Sequence, residues 1–68
     1  MEDTKIELAQ KLKQARLDVS MTQAEVAQGA GISKSILSKI ETGSYNPSVE
    51  FLHKVADGLG KQLLIDFV

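Results

Sequence analysis

The stretch Met21-Thr-Gln-Ala-Glu-Val-Ala-Gln-Gly-Ala-Gly-Ile-Ser-Lys-Ser-Ile-Leu-Ser-Lys-Ile-Glu-Thr-Gly43 reads as two short helices joined by a tight turn that contains glycine. Thr22 followed three residues later by Glu25 has the spacing of a capping box, in which each side chain satisfies a free amide at the helix start. Gly29 and Gly31 are placed to end this helix, because a Cβ is penalised where φ is positive. Ser33 then caps a second helix that stops at Gly43. Val26, Ala27, Ala30, Ile32, Leu37 and Ile40 form the pattern to be buried. Ala27 is small where two helices must cross closely, and Leu37 and Ile40 lie three apart on one helical face. Outside remain Ser33, Lys34, Ser35, Ser38 and Lys39, a polar face without acidic residues. A helix held by its neighbour while presenting short polar and basic groups suits the major groove of DNA.

The whole chain, residues 1–68, has room for one small domain, with the helix-turn-helix at about 22–42. A core this small is marginal alone, so well-formed helix packing or dimerisation is expected to supplement it. The absence of cysteine excludes disulfides, thiol nucleophiles and thiolate metal sites, and one histidine cannot make a His-rich one. No metal or cofactor is expected. No run approaches the roughly 18 apolar residues of a membrane span and no signal-peptide pattern opens the chain, so a cytoplasmic protein without membrane contact is expected. The net charge of −1 argues mildly against nucleic acid, which usually attracts a basic surplus. Its distribution answers this in part. Lys11, Lys13 and Arg16 cluster in one helix and Lys34 and Lys39 in another, while acids concentrate near the two ends, and the local field counts for more than the sum.

Taken in order, residues 1–4 read as a frayed start, with Asp3 or Thr4 capping the first helix. From Lys5 to about Asp18, Leu8, Leu12, Ala15 and Val19 recur at spacings of three and four, the mark of an amphipathic helix. Ser20 occupies the turn into the next helix, where glycine would be easier if φ is positive. After the helix-turn-helix, Ser44-Tyr45-Asn46-Pro47 forms a turn, with Asn46 or Ser48 capping a helix over about 48–59. That helix is expected to bury Val49, Leu52, Val55, Ala56 and Leu59; Gly58 weakens its last turn and Gly60 ends it. In the tail, about 62–68, Leu63, Ile65 and Phe67 alternate with Gln62, Leu64 and Asp66, the period of a strand. A lone strand cannot satisfy its backbone, so the tail is expected to pair with the same tail of a second chain across a two-fold axis. A short fifth helix is the competing reading. His53 reads as a half-buried face or dimer residue, and Phe51 and Phe67 as core or interface residues.

Gln23 opening the first of the two helices, Glu25-Val26-Ala27, Gly31-Ile32-Ser33, Ile40-Glu41-Thr42-Gly43, Asn46-Pro47-Ser48 and Leu59-Gly60 together resemble the phage-repressor family, the Cro/repressor or Xre-type, lambda-repressor-like helix-turn-helix domains. The likeness spans about Leu8 to Leu63. It implies an all-α bundle of four to five helices whose third helix enters the major groove. Carried over by position, Lys34, Ser35 and Lys39 face base edges. Gln23, Ser33 and Ser38 face phosphates, along with the loop Ser44, Tyr45 and Asn46. A buried arginine of the first helix, here Arg16, pairs with a glutamate near the end of the third, here Glu41. The chain departs from the family pattern at Ser20, where glycine is common, and at Ile36, where a small polar residue is usual. Ile36 reads either as a satellite core residue or as an apolar probe for a thymine methyl.

The expected function is a sequence-specific DNA-binding transcriptional regulator, acting as a repressor on a palindromic operator as a homodimer through Leu63, Ile65 and Phe67. An alternative is an antitoxin like the HipB-like and HigA-like proteins, which would bind a cognate toxin protein and regulate its own operon. A different class is a protein-interaction module without DNA binding. An enzyme is not expected, since without Cys, with one His and without a Gly-rich phosphate loop no acid–base or nucleophile constellation can be assembled.

Overall fold

The computed structural model describes residues 2–68. Four helices succeed one another: α1 (Glu2–Asp18), α2 (Gln23–Ala30), α3 (Lys34–Glu41) and α4 (Val49–Leu59). Each start after the first has a side-chain cap. The Thr22 hydroxyl accepts from the Glu25 amide at 3.1 Å while the Glu25 carboxylate accepts from the Thr22 amide at 2.8 Å. Ser33 and Ser48 accept from the Ile36 and Phe51 amides, both at 3.1 Å. Helix α1 already includes Asp3 and Thr4 in its first turn, so neither caps it; Met1, the other part of the expected frayed start, lies outside the described residues.

All four helices end in the same way. A residue just past the helix end sends its amide back to a carbonyl in the last turn, as in Met21 to Arg16, Ile32 to Ala27, Ser44 to Lys39 and Lys61 to Ala56. This closure sets the preceding residue at positive φ. Gly31, Gly43 and Gly60 fill that position after α2, α3 and α4, whereas Ser20, at φ 56°, fills it after α1. Gly29, expected to help end α2, lies inside that helix instead. A side chain in this left-handed region costs about 1–2 kcal/mol, partly offset by the greater freedom that glycine has when unfolded. Ser20→Gly is therefore expected to stabilise the fold by about 0.5–1 kcal/mol, raising the melting temperature by about 3–6 °C in a circular-dichroism melt. A lowered melting temperature would contradict the strain assigned to Ser20.

The core is Leu12 of α1, Val26 and Ala27 of α2, Leu37 and Ile40 of α3, and Val55 and Leu59 of α4. Ala15, Val19, Met21, Ile32, Ile36, Tyr45 and Phe51 pack around it, half-buried. Val49, expected inside, is 54% exposed, because it begins α4 on the side turned from the bundle. His53 is likewise exposed. The helices α2 and α4 touch backbone to backbone: a Cβ built on Gly58 would lie 2.8 Å from the Val26 carbonyl oxygen and 2.9 Å from the Ala30 amide nitrogen. The close approach of α2 and α4 thus depends on Gly58, which does more than loosen a last turn.

The C-terminal strand expected over 62–68 is absent, and so is a fifth helix: residues 61–68 form no regular secondary structure. A strand needs a neighbouring edge to satisfy its amides and carbonyls, and a bundle of helices offers none. Leu63 is instead half-buried, and with Leu64 it borders an apolar groove between α1 and α4 lined by Leu8, Leu12, Leu52 and Leu59. Ile65 and Phe67 stay 59% and 97% exposed. No helix among the described residues is long and apolar enough to cross a membrane.

Candidate nucleic-acid interface

Helix α3 is amphipathic, and Leu37 and Ile40 are almost wholly buried beneath it. Burying those two residues fixes the rotation of α3 and turns Lys34, Ser35, Ser38 and Lys39 outward. With Gln23 at the start of α2, these four line one open concavity. Lys34 is the first residue of α3, where free amides and the helix dipole already make the field positive and no acid relieves it. A cation there opposes helix stability by a few tenths of a kcal/mol, and the same field suits an anion. Lys34, Ser35 and Lys39 are exposed; Ser38 is half-buried.

The remaining residues expected at the interface divide. Ser33 and Asn46 are exposed, with the Ser33 hydroxyl engaged as the α3 cap. The Ser44 hydroxyl donates to the Lys39 carbonyl at 3.2 Å and shares a 2.9 Å hydrogen bond with Thr42, so it closes the end of α3. Tyr45 packs its ring against the core and meets Phe51 at a centroid distance of 5.9 Å. Ile36 is half-buried against the core and does not line the concavity.

Behind the concavity lies an ion pair. Arg16 donates from Nε to Glu41 Oε2 at 2.7 Å and from Nη2 to Oε1 at 3.0 Å, a two-point contact that joins α1 to α3. Its Nη1 donates to the Met21 carbonyl at 2.9 Å, fixing the turn into α2. Gln23 adds a third hydrogen bond to the carboxylate, from Nε2 to Oε1 at 3.1 Å. The two charged side chains are 11% and 3% exposed. Burial alone would raise the Glu41 carboxyl. The hydrogen bonds from Arg16 and Gln23, with the positive charges of Arg16 and Lys13, outweigh it and hold the group below its ordinary range. The Gln23 contact has no local signal in the sequence, since the partners are 18 residues apart on different helices.

Residues 12–65 match the model of the helix-turn-helix family HTH_3. The chain is 39% identical over 56 residues to the immunity repressor of Bacillus phage phi105, covering 82% of this chain and 39% of the repressor. It is 42% identical over 50 residues to the transcriptional regulator SinR of Bacillus subtilis, covering 72% of this chain and 45% of SinR. The chain thus spans less than half the length of either relative. The wild-type restriction–modification controller protein C.Esp1396I superposes with a TM-score of 0.83 at 26% identity, covering 85% of this chain and 76% of that one. Pattern, family match and superposition agree: this chain belongs to the Xre-type HTH_3 family of helix-turn-helix transcriptional regulators.

Proposed function

We propose that this chain binds duplex DNA sequence-specifically and represses transcription from a palindromic operator as a homodimer. The observation that carries the proposal is the acid-free outer face of α3, open to solvent beside Gln23. With its side chains an α-helix is about 10–12 Å across, which matches a major groove about 12 Å wide, and α3 has one such face free. On this reading Lys34 and Lys39 donate to guanine O6 and N7, and Ser35 reaches a base edge through water. Gln23, Ser33, Ser38, Ser44, Asn46 and the hydroxyl of Tyr45 meet phosphates around the groove, while Ile36 serves as a satellite core residue.

A fluorescence titration against a labelled duplex from the region upstream of the chain's own gene, at varied salt, tests the reading. Affinity is expected to fall steeply with salt, and Lys34→Ala and Lys39→Ala are each expected to cost about 1–3 kcal/mol and to relax the preference at the base pair each one reads. Equal, weak binding to all sequences would refute an operator.

The second copy is proposed to dock through the tail, which carries Leu64, Ile65 and Phe67 largely in water beside an apolar groove. Deleting residues 62–68 is expected to give monomers in analytical ultracentrifugation and to abolish cooperative operator binding. A dimer that survives the deletion would place the interface on the exposed side of α4, at Val49 and His53. The same exposed tail favours the second reading, in which it docks a toxin protein; co-purification with the product of a neighbouring gene distinguishes it.

A further inference from the structure

We propose that Glu41 is a positioning residue for DNA contact, acting through Gln23; the inference rests on the DNA-binding reading. The end of a glutamine side chain is nearly symmetric in shape, so on an open surface it presents nitrogen or oxygen with little preference. Here the choice is made from within. The Glu41 carboxylate, 3% exposed, offers only acceptors, so the Gln23 amide must turn its nitrogen inward, as it does at 3.1 Å. Turning the amide over would set the Gln23 carbonyl oxygen against the carboxylate. One amide hydrogen is thereby committed to Glu41, and the second is left for an acceptor in the concavity that Gln23 lines with Lys34, Ser35, Ser38 and Lys39.

A buried acid would ordinarily repel a phosphate. The two-point contact with Arg16, at 2.7 and 3.0 Å, neutralises it and fixes the plane of the carboxylate. Arg16 in turn holds the Met21 carbonyl just ahead of α2. The chain of contacts Arg16–Glu41–Gln23 therefore does more than clamp three helices. It converts an ambivalent surface amide into a fixed donor, so that the orienting cost is met at folding instead of at binding.

A double-mutant cycle tests this, with fluorescence anisotropy on the same labelled upstream duplex and each variant shown to be folded by circular dichroism. Gln23→Ala is expected to weaken binding about tenfold. Glu41→Gln is expected to weaken it about fivefold in the native background and less than about twofold when Gln23 is already alanine. Equal losses in both backgrounds would make Glu41 a packing residue only and overturn the proposal. Should Glu41→Gln fail to fold, the native chain carries the test. An amide-resolved NMR spectrum is expected to show one Gln23 Nε2 proton protected from exchange and steady when DNA is added, while the other shifts. Two averaged protons would overturn the proposal. A native chain that binds no DNA would overturn the functional reading and this inference together, whereas binding with an additive cycle overturns the inference alone.

Discussion

Gly58→Ala is expected to lower the stability of this domain by about 2–3 kcal/mol, even though alanine is the better helix former. The gain in helix propensity is about 1 kcal/mol. Against it stands a Cβ at 2.8 Å from the Val26 carbonyl oxygen, 2.9 Å from the Ala30 nitrogen and 3.1 Å from the Ala30 Cβ. Overpacking usually costs about 1–3 kcal/mol, and more where neighbours cannot adjust. Two of these three neighbours are backbone atoms of α2, which have no alternative rotamer, so the helices themselves must separate. That separation would loosen Val26 and Val55, which are nearly unexposed. Small domains hold about 0.05–0.15 kcal/mol per residue, so the loss is a large share of the total. The melting temperature is expected to fall by about 10–20 °C. Gly29→Ala provides the contrast. Its nearest neighbour is the Gly58 Cα at 3.3 Å, a contact that a shift of a few tenths of an ångström relieves. That variant should lie within about 1 kcal/mol of the native chain, because the propensity gain offsets the crowding. Similar melting temperatures for the two variants would show that the α2–α4 crossing tolerates a methyl group, contrary to the packing described.

Arg16→Ala is expected to cost about 3–5 kcal/mol, because it strands a buried carboxylate that had three hydrogen bonds and leaves it one. The pH dependence separates this cause from lost packing. In the native chain the Glu41 carboxyl lies below its unfolded value near 4.5. Its contribution is therefore fully present above about pH 4.5 and disappears as the pH falls through the lower folded value. Without Arg16, burial dominates and raises the carboxyl above its unfolded value. The folded variant then binds the extra proton, so its stability rises as the pH is lowered from neutral towards about 4.5, where the native chain is flat. Urea titrations at a series of pH values read both slopes. Parallel curves for Arg16→Ala and the native chain would mean that Glu41 is not stranded. Glu41→Ala should be milder, since the longer arginine can move its charge into water.

Whatever short-range chemistry decides could be read locally in the chain. Thr22 with Glu25, Ser33 and Ser48 announce three helix starts, because a capping bond spans only three residues. The spacing of Leu37 and Ile40 defines the buried side of α3, and with it the outward face of Lys34, Ser35 and Lys39. Ser20 at positive φ was also foreseeable, since a short link between two helices usually needs a left-handed residue. The pairing of Arg16 with Glu41 comes from the resemblance to the repressor family; nothing in the local pattern requires it.

Other features exist only once the helices are assembled. Gly58 looks like a weak point of α4 until α2 lies across it, where the missing side chain becomes the reason the helices meet. Gln23 looks like a free surface amide until α3 brings Glu41 beneath it. The Tyr45 ring looks free in its loop until Phe51 and the core pack against it. The alternation of Leu63, Ile65 and Phe67 marks strand preference, but a strand is a property of two edges, and the folded chain supplies none to the tail. The helices, their caps and the face that α3 shows to solvent are thus written in the amino-acid order, because they depend on contacts within a turn or two. Which backbone may touch which, which way Gln23 turns and where the tail lies are settled by assembly, because these depend on partners as far as 18 to 32 residues away in the chain.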